Sequence, residues 1–291
     1  MNNITFNGVC DLHTHSVFSD GTYTPEQIIR EAERIGLSAV ALCDHNTAAG
    51  LPRFLEAAKN SKVEAVAGVE FSCEYMGKEL HILGLFMSPL HFESINEFVS
   101  DLAKRKEKSN ADLVSNLAKA GYVLELESIK AGTPNGQINR AHIAAALMEK
   151  GYVSSVKEAF DKLLHPQFGF FTPPRRPEAY EMIEYIKDIG AVPVLAHPFL
   201  NLSEGELHEF LPEAKKKGLV GMETVYSLFG NEESECAANL ALKYGLLPSG
   251  GSDFHGSIKP DIALGSGKGD ISVPMAYCVA LQKSVTEKQH R

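Results

Sequence analysis

The sequence predicts an α/β fold with a mainly parallel sheet and a helical insertion. In both terminal parts of the chain, short apolar runs typical of buried strands alternate with amphipathic runs typical of helices. Between about Phe92 and Pro174 the helical pattern continues without a convincing strand. We therefore expect a core domain formed by residues 1–91 and 175–291, and an inserted helical domain formed by residues 92–174.

Seven apolar runs have the length and composition of buried strands. They are Val9–Leu12, Ser38–Cys43, Val63–Val69, Glu79–Phe86, Ala191–Ala196, Leu219–Val225 and Leu246–Gly250. The clearest helix start is Thr24-Pro25-Glu26-Gln27, which has a capping threonine, a proline in the first turn and a glutamine three residues after the cap. Gly36 is predicted to end this helix. The insertion is predicted to contain helices over Glu93–Gly121, Asn139–Gly151 and Ser154–Leu164, with a loop at Gly132–Gly136.

The composition is that of an ordinary globular domain, with 44% hydrophobic and 22% charged residues. The net charge of −9 argues against binding of long duplex nucleic acid, which depends on neutralising phosphates. We see no apolar stretch that could cross a membrane, and residues 1–7 lack the features of a signal peptide. The five cysteines are scattered and never in CxxC spacing, so we expect reduced thiols and a cytoplasmic location.

Residue types that bind metals follow the carboxyl ends of five predicted strands, where α/β enzymes build their active sites. The most informative segment is Asp11-Leu12-His13-Thr14-His15, because histidines at i and i+2 lie on one face of an extended strand. His81 differs from the others, since it lies inside a strand-like run. The candidate metal ligands are His13, His15, Asp20, His45, Glu70, His81, His197, Asp253 and His255.

A single histidine at a strand end is more often structural than a ligand, but six histidines and three carboxylates together are poorly explained in that way. Burying so many ionisable groups without a cation would be costly. Mixed His, Asp and Glu ligands without thiolates suit Mn²⁺, Fe²⁺ or Zn²⁺. Because nine ligands exceed the need of one ion, we expect two or three, with Glu70 able to bridge. Ions about 3.5–4 Å apart suit in-line displacement at phosphorus.

These segments resemble, in order and spacing, the motifs of the PHP (polymerase and histidinol phosphatase) superfamily. The matching residues are Asp11–His15, Asp44-His45, Glu70, His81, His197-Pro198 and Gly251–His255, and the resemblance extends to about Gly265. It implies a distorted (β/α)7 barrel, the PHP fold, with a trinuclear metal site. By matching motif, the first ion would be held by His13, His15, Glu70 and Asp253, the second by Glu70, His81 and His197, and the third by Asp20, His45 and His255.

The insertion is similar to that of stand-alone PHP enzymes, a group that includes a 3′,5′-bisphosphate nucleotide phosphatase and a 5′→3′ exoribonuclease acting on short RNA. This similarity implies that Arg140 and His142 reach over the metals to the substrate phosphate. Arg140 would donate two hydrogen bonds, and His142 would bind phosphate or protonate the leaving oxygen. Phe171 could stack on a base and Arg175 could contact a second phosphate. For Arg140 and His142, the alternative is that they are surface residues at the start of a helix. For Phe171 the alternative is packing of the insertion against the barrel, and for Arg175 it is exposure to solvent.

We therefore expect a metal-dependent phosphoesterase in which a metal-activated hydroxide attacks phosphorus and Arg140 stabilises the developing charge. The expected substrate is a small phosphorylated molecule: the 3′-phosphate of a nucleoside 3′,5′-bisphosphate, or a short RNA end cut 5′→3′. Mn²⁺ is the favoured metal, with Fe²⁺ or Zn²⁺ as alternatives. Rival interpretations are a histidinol-phosphate phosphatase or other small phosphomonoesterase, a non-catalytic polymerase-associated module, and an amidohydrolase-type hydrolase.

Overall fold

The computed structural model describes residues 8–133 and 138–286. Its contacts divide them into two compact units, one formed by residues 8–96 and 177–286 and the other by residues 97–133 and 138–176. Residues 1–7, on which the expectation of no signal peptide depends, lie outside the described residues. So do Pro134, Asn135 and Gly136 of the predicted insertion loop.

The first unit contains an eight-stranded sheet among its described residues, in the order β7-β6-β5-β4-β3-β2-β1-β8. The strands are β1 (Val9–Thr14), β2 (Ala39–Leu42), β3 (Glu64–Tyr75), β4 (Lys78–Leu85), β5 (Val192–Leu195), β6 (Gly221–Tyr226), β7 (Leu247–Gly251) and β8 (Val273–Pro274). β1, β2 and β3 are mutually parallel, as are β5, β6 and β7, whereas β4 is antiparallel to both of its neighbours. All seven predicted strands are therefore present, and the short β8 was not predicted.

The sheet closes almost into a barrel where the segment after β7 meets β1. The Asp253 amide donates a hydrogen bond to the His13 carbonyl at 2.9 Å, and the His15 amide donates to the Phe254 carbonyl at the same distance. This confirms the predicted α/β fold with a distorted (β/α)7 barrel. It also places the residues after β7 beside those that end β1.

Ten α-helices are present in the described residues. They are α1 (Pro25–Ile35), α2 (Leu51–Ala58), α3 (Phe92–Lys119), α4 (Leu126–Ala131), α5 (Arg140–Glu149), α6 (Val156–Ala159), α7 (Ala179–Asp188), α8 (Glu204–Lys217), α9 (Asn231–Lys243) and α10 (Met275–Thr286). The predicted capping box of α1 is present, with reciprocal hydrogen bonds between Thr24 and Gln27 and a left-handed Gly36 at the end of the helix. None of these helices combines the length and the apolar character needed to cross a bilayer.

The second unit has its own apolar core and contains no strand among its described residues. Side chains from α3, α5 and the segment after α6 form this core, for example Leu117, Ile143 and Leu164. The core is separate from the apolar cluster of the barrel unit, in which Cys278 and Leu281 of α10 pack with residues of β1, β2 and β5.

Candidate metal centre

One oxygen of Glu70 lies at the meeting point of three histidines from two strand ends. Its Oε2 atom is 3.2 Å from His13 Nε2, 3.2 Å from His15 Nε2 and 3.1 Å from His45 Nδ1. The rings of His13 and His15 are 5.1 Å apart between centroids, as expected for alternate residues of an extended strand that share a face. A bridge pairs His45 with Glu70, because β2 and β3 are neighbouring parallel strands.

The other oxygen of Glu70 faces two further histidines. Its Oε1 atom is 2.8 Å from His81 Nδ1 and 3.0 Å from His197 Nε2. The place of His81 inside a strand is explained by the reversed direction of β4. Since β4 is antiparallel, its early residues lie at the edge of the sheet where the neighbouring parallel strands end, and the His81 carbonyl accepts from the Ala196 amide there.

Asp253 presents one carboxylate oxygen to the same cluster. Its Oδ1 atom is 3.1 Å from His15 Nε2 and 3.7 Å from His13 Nε2. Its Oδ2 atom accepts hydrogen bonds from the Tyr226 hydroxyl at 2.9 Å and from Lys259 Nζ at 2.7 Å. Asp253 is therefore held with a single oxygen facing the histidines.

Asp20 and His255 complete a second edge of the cluster. Asp20 Oδ1 is 3.2 Å from His255 Nε2 and 3.7 Å from His15 Nδ1, and its Oδ2 is 3.8 Å from His45 Nε2. His255 Nδ1 donates to the Asp253 carbonyl at 2.8 Å, and this bond directs Nε2 towards Asp20.

The structure thus brings all nine predicted ligands into one continuous cluster. Three groups within it have ligand atoms close enough to share an ion: His15, Asp20, His45 and His255; His13, His15 and Glu70; and His45, Glu70 and His81. Compared with the partition implied by the resemblance, His15 also joins the group around Asp20, and His45 joins the group around Glu70 and His81.

The donor set fits divalent cations. In the described residues, the buried side-chain nitrogen and oxygen atoms that make no hydrogen bond are almost all in this cluster, the exception being Ser249 Oγ. They are His13 Nε2, His15 Nδ1 and Nε2, His45 Nδ1, Glu70 Oε2 and His81 Nδ1. Buried polar atoms without partners are costly, and divalent ions would bind those of these atoms that carry a free lone pair.

The charges within the cluster are strongly coupled. Burial alone would raise the pKa of Glu70, but the neighbouring histidines, His45 first, hold it well below its usual range. Burial alone would lower the pKa of His15, but Asp253 and Glu70 raise it to about 9. Glu70 likewise raises the pKa of His81 to about 10 against the effect of burial. In the metal-free protein, protons on His15 and His81 therefore balance the negative charge of Glu70 and Asp253, which divalent ions would balance in the metal-bound protein.

The chain carries backbone strain at two of these positions. His197 has a φ of 26° and Asp253 a φ of 56°, in the left-handed region that non-glycine residues rarely adopt. Such strain persists only where surrounding bonds fix it, and it is concentrated at functional sites. Each residue stands two positions after the end of a strand, β5 or β7, and its side chain belongs to the cluster.

Comparison with known proteins identifies the chain. The PHP domain profile matches residues 11–171, more than half of the sequence. The chain belongs to the PHP domain family. A 5′-3′ exoribonuclease of Haemophilus influenzae is 32% identical over 84% of this chain and 89% of its own length.

Two further relatives of this chain are named for activities other than that of the exoribonuclease. A phosphoribosyl 1,2-cyclic phosphate 1,2-diphosphodiesterase of Eggerthella lenta is 28% identical and covers 84% of this chain and 94% of its own length. A 3′,5′-nucleoside bisphosphate phosphatase of Chromobacterium violaceum is 27% identical and covers 84% and 86%, respectively. All three names describe cleavage of phosphate esters, and the chain is accordingly a metal-dependent phosphoesterase.

The PHP fold is also found in solved structures. One from Bifidobacterium adolescentis, proposed to be a metal-dependent phosphoesterase, has 27% sequence identity and a TM-score of 0.74, and the match covers 94% of both chains. The similarity therefore extends over the barrel and the insertion together.

Two of the predicted substrate residues of this PHP protein, Arg140 and Phe171, are in contact within the helical unit. The Arg140 guanidinium lies 4.5 Å from the centre of the Phe171 ring and donates to the Leu164 carbonyl at 3.3 Å. Phe171 is 7% exposed and belongs to the apolar core of the unit, so its ring supports Arg140 and is not open for stacking on a base. Arg175 is exposed.

His142, the fourth predicted substrate residue, is held at the start of α5. Its Nδ1 atom accepts a hydrogen bond from the Asn139 amide at 3.1 Å, and the Asn139 side chain accepts from the His142 amide in return. Partial burial and the positive charge of Lys106 lower the pKa of His142, which favours the neutral ring. With Nδ1 accepting, the proton of that neutral ring is on Nε2.

Sequence reasoning gave no role to two buried carboxylates beside the cluster, Asp44 of the Asp44-His45 motif and Glu223. Asp44 accepts hydrogen bonds from the Ser16 amide, the Ser16 hydroxyl and the Ser19 hydroxyl, and so fixes the loop that follows His15. Glu223, in β6, contacts His13 and His197. The available signal was a glutamate inside the apolar run Leu219–Val225, where a charged residue needs a buried partner.

Proposed function

We propose that the protein hydrolyses the 3′-phosphate of nucleoside 3′,5′-bisphosphates, removes nucleotides from the 5′ end of short RNA, or does both. The observation that carries this proposal is the set of unsatisfied lone pairs in the Glu70 cluster, which suits two or three divalent ions. The names of the exoribonuclease and bisphosphate phosphatase relatives support the substrate class.

The nine cluster residues would hold the ions, and we propose Mn²⁺, with Fe²⁺ and Zn²⁺ as alternatives. When bound, such ions lower the pKa of water and neutralise the oxygens of a phosphoryl group. Asp20, Glu70 and Asp253 supply the negative charge that binds the ions, while Lys259 adds a cation next to Asp253.

We assign the recognition of substrate to the insertion. The guanidinium of Arg140 binds phosphate oxygens, with its orientation fixed by Phe171 and the Leu164 carbonyl. The Nε2–H group of neutral His142 donates a hydrogen bond to a phosphate or leaving oxygen. Arg175 provides an exposed positive charge for a second phosphate. We place the reaction in the cytoplasm, in keeping with five free cysteines, four of them buried.

The proposal is tested by identifying the products, inorganic phosphate from the monoesters and nucleotides or opened esters from the diesters, in the presence of Mn²⁺. The substrates are a nucleoside 3′,5′-bisphosphate, a 5′-phosphorylated RNA trinucleotide, a 1,2-cyclic ribose phosphate and histidinol phosphate. Turnover of either of the first two supports the proposal. Preference for the cyclic ester would assign the protein a phosphodiesterase activity like that of its Eggerthella lenta relative, and preference for histidinol phosphate would favour the rival phosphatase. Absence of turnover with all four would refute it.

A pair of variants separates the metal residues from the substrate residues. Asp253→Asn keeps the size of the side chain and tolerates the left-handed backbone, so loss of metal and of turnover would report the carboxylate charge. Arg140→Lys keeps the charge but loses the planar pair of donors, so metal content should be unchanged while turnover falls. Parent-level turnover in Arg140→Lys would remove Arg140 from the site.

A further inference from the structure

Glu223 is a fully buried carboxylate that lies outside the nine predicted ligands. It belongs to β6, between β5 and β7, and its neighbour Met222 is also fully buried. In the described parts of the chain no lysine or arginine forms an ion pair with it. A buried carboxylate without such a partner is retained only where its hydrogen bonds are strong.

Both oxygens of Glu223 bond to histidines of the metal cluster. Oε1 is 3.0 Å from His13 Nδ1, and Oε2 accepts from the His197 amide at 2.6 Å. The two histidine rings are stacked, with centroids 5.8 Å apart and an angle of 20° between their planes. One carboxylate therefore joins residues that follow two different strands.

The contact with His13 decides which ring nitrogen can bind a metal. Since a carboxylate only accepts, the proton must be on Nδ1, and in the neutral ring the Nε2 lone pair is then free. That Nε2 atom makes no hydrogen bond and lies 3.2 Å from Glu70 Oε2. Carboxylates in this position orient metal-binding histidines and increase their basicity.

The contact with His197 acts on the backbone. His197 has φ 26° and ψ 61°, a conformation that needs support from its surroundings. The hydrogen bond from its amide to Glu223 provides that support and fixes the direction in which the ring leaves the chain. His197 Nε2 is thereby kept 3.0 Å from Glu70 Oε1.

We propose that Glu223 is a positioning residue that sets the tautomer of His13 and the backbone of His197, and so aligns both rings on the two oxygens of Glu70. The proposal rests on the proposed metal centre. It predicts that Glu223 controls metal affinity around Glu70 without touching an ion or the substrate.

Glu223→Gln is the most direct test, because an amide can satisfy only one of the two contacts. If its oxygen faces His13, its NH₂ group faces the His197 amide, and two donors then oppose each other. Glu79→Gln is the matched control: it removes the same charge from a glutamate whose Oε1 is 3.4 Å from His81 Nε2, but which is 37% exposed.

Mn²⁺ binding to metal-free protein is measured by calorimetry for the parent and both variants. We expect affinity to fall about 10–100-fold in Glu223→Gln, the usual effect of losing such a carboxylate. In Glu79→Gln the fall should stay below about fivefold, the size expected for an exposed pair. Nitrogen-15 NMR of the Zn²⁺-loaded protein gives a second readout: the His13 Nδ1–H signal should be present in the parent and in Glu79→Gln, and displaced or lost in Glu223→Gln. A residue that only stabilises the fold would leave that signal unchanged.

Equal Mn²⁺ affinity and an unchanged His13 signal in the parent and Glu223→Gln would overturn the proposal, as would a parent that binds no Mn²⁺. A parent that binds Mn²⁺ but cleaves none of the four substrates would count against the proposed function alone. If Glu223→Gln does not fold, Glu223→Asp serves instead, since its shorter side chain keeps the charge but cannot reach both histidines. The same fall in affinity is then expected, and parent-like affinity overturns the proposal.

Discussion

Gly251, the last residue of β7, is a position where a single methyl group should disturb the metal centre. A Cβ atom there would lie 2.5 Å from both the Cβ and the backbone nitrogen of His13, and 2.9 Å from Asp11 Oδ1. Ordinary contact begins at 3.4 Å, so the end of β7 or of β1 must move by about 1 Å. Neither neighbour can rotate away, because one belongs to the backbone and Asp11 accepts hydrogen bonds from the Ser252 amide and the Gly265 amide.

Gly251→Ala should therefore cost about 1–3 kcal/mol of unfolding free energy, the usual effect of overpacking. A displacement of about 1 Å at His13 should also lower turnover about 100-fold. The matched control is Gly205→Ala in α8, where a Cβ meets nothing within 4 Å. Replacing a helical glycine there should leave turnover unchanged and raise stability by up to about 1 kcal/mol.

The assay combines urea unfolding, Mn²⁺ content and turnover of the substrate that the parent cleaves, for the parent and both glycine variants. Parent-like stability and turnover in Gly251→Ala would refute the close approach of β7 to β1. Loss of stability with full metal content and turnover would show that the strands separate without moving His13.

Three further predictions concern metal, pH and the insertion. Removal of metal by a chelator should lower the unfolding free energy. The expected loss is about 2.7 kcal/mol relative to protein with free metal at a hundredfold excess over Kd. Unfolding curves with and without chelator measure this loss, and coincident curves would argue against a metal centre. In the chelated protein the pKa values of His15 and His81 are raised to about 9 and about 10, above their ordinary value near 6.5. Their protonated forms therefore stabilise the chelated fold below about pH 6.5, and that stability is lost as the pH rises through 9 and 10. Tm of the chelated protein should fall over this range, and fall less in His81→Gln; an equal fall would show that His81 does not contribute. Phe171→Leu should lower turnover without changing Mn²⁺ content, because it removes the ring that orients Arg140. Phe170→Leu leaves the contact between Arg140 and Phe171 in place and should change turnover less. Equal effects of the two variants would show that the ring of Phe171 does not position Arg140.

The sequence was sufficient for the parts of the fold that depend on local patterns. The seven strands, the capping box of Thr24 and the helical character of the insertion were all predicted from residue order, because burial and capping leave signals within a few residues. The reversed direction of β4 was not predicted. A strand that is buried on both faces reads the same in either direction, so only the pairing with β3 and β5 reveals its orientation.

The same limit explains what was missed around the candidate site. Ligand-type residues at or near the predicted strand ends form a visible pattern, and the structure places all nine of them together. Glu223 acts through contacts with residues far away in the sequence and has no motif of its own. Asp44 belongs to the Asp44-His45 motif, but its contacts with Ser16 and Ser19 become visible only in the folded chain. Phe171 was considered for stacking on a base, but its burial against Arg140 becomes visible only once the insertion is folded.

The distribution of roles that we propose for the two units follows from the chemistry that each contains. The barrel unit holds rigid strand ends, buried carboxylates and histidines with unsatisfied lone pairs, which suit the tight geometry of metal ligands. The insertion holds an arginine fixed on an aromatic ring and a histidine at a helix start, to which we assign the binding of an anion. Substitutions in the barrel should therefore change metal content and turnover together, while those at Arg140, His142 or Phe171 should change turnover or substrate preference alone. A variant of the insertion that loses metal, or a variant of the cluster that changes substrate preference at full metal content, would contradict this separation.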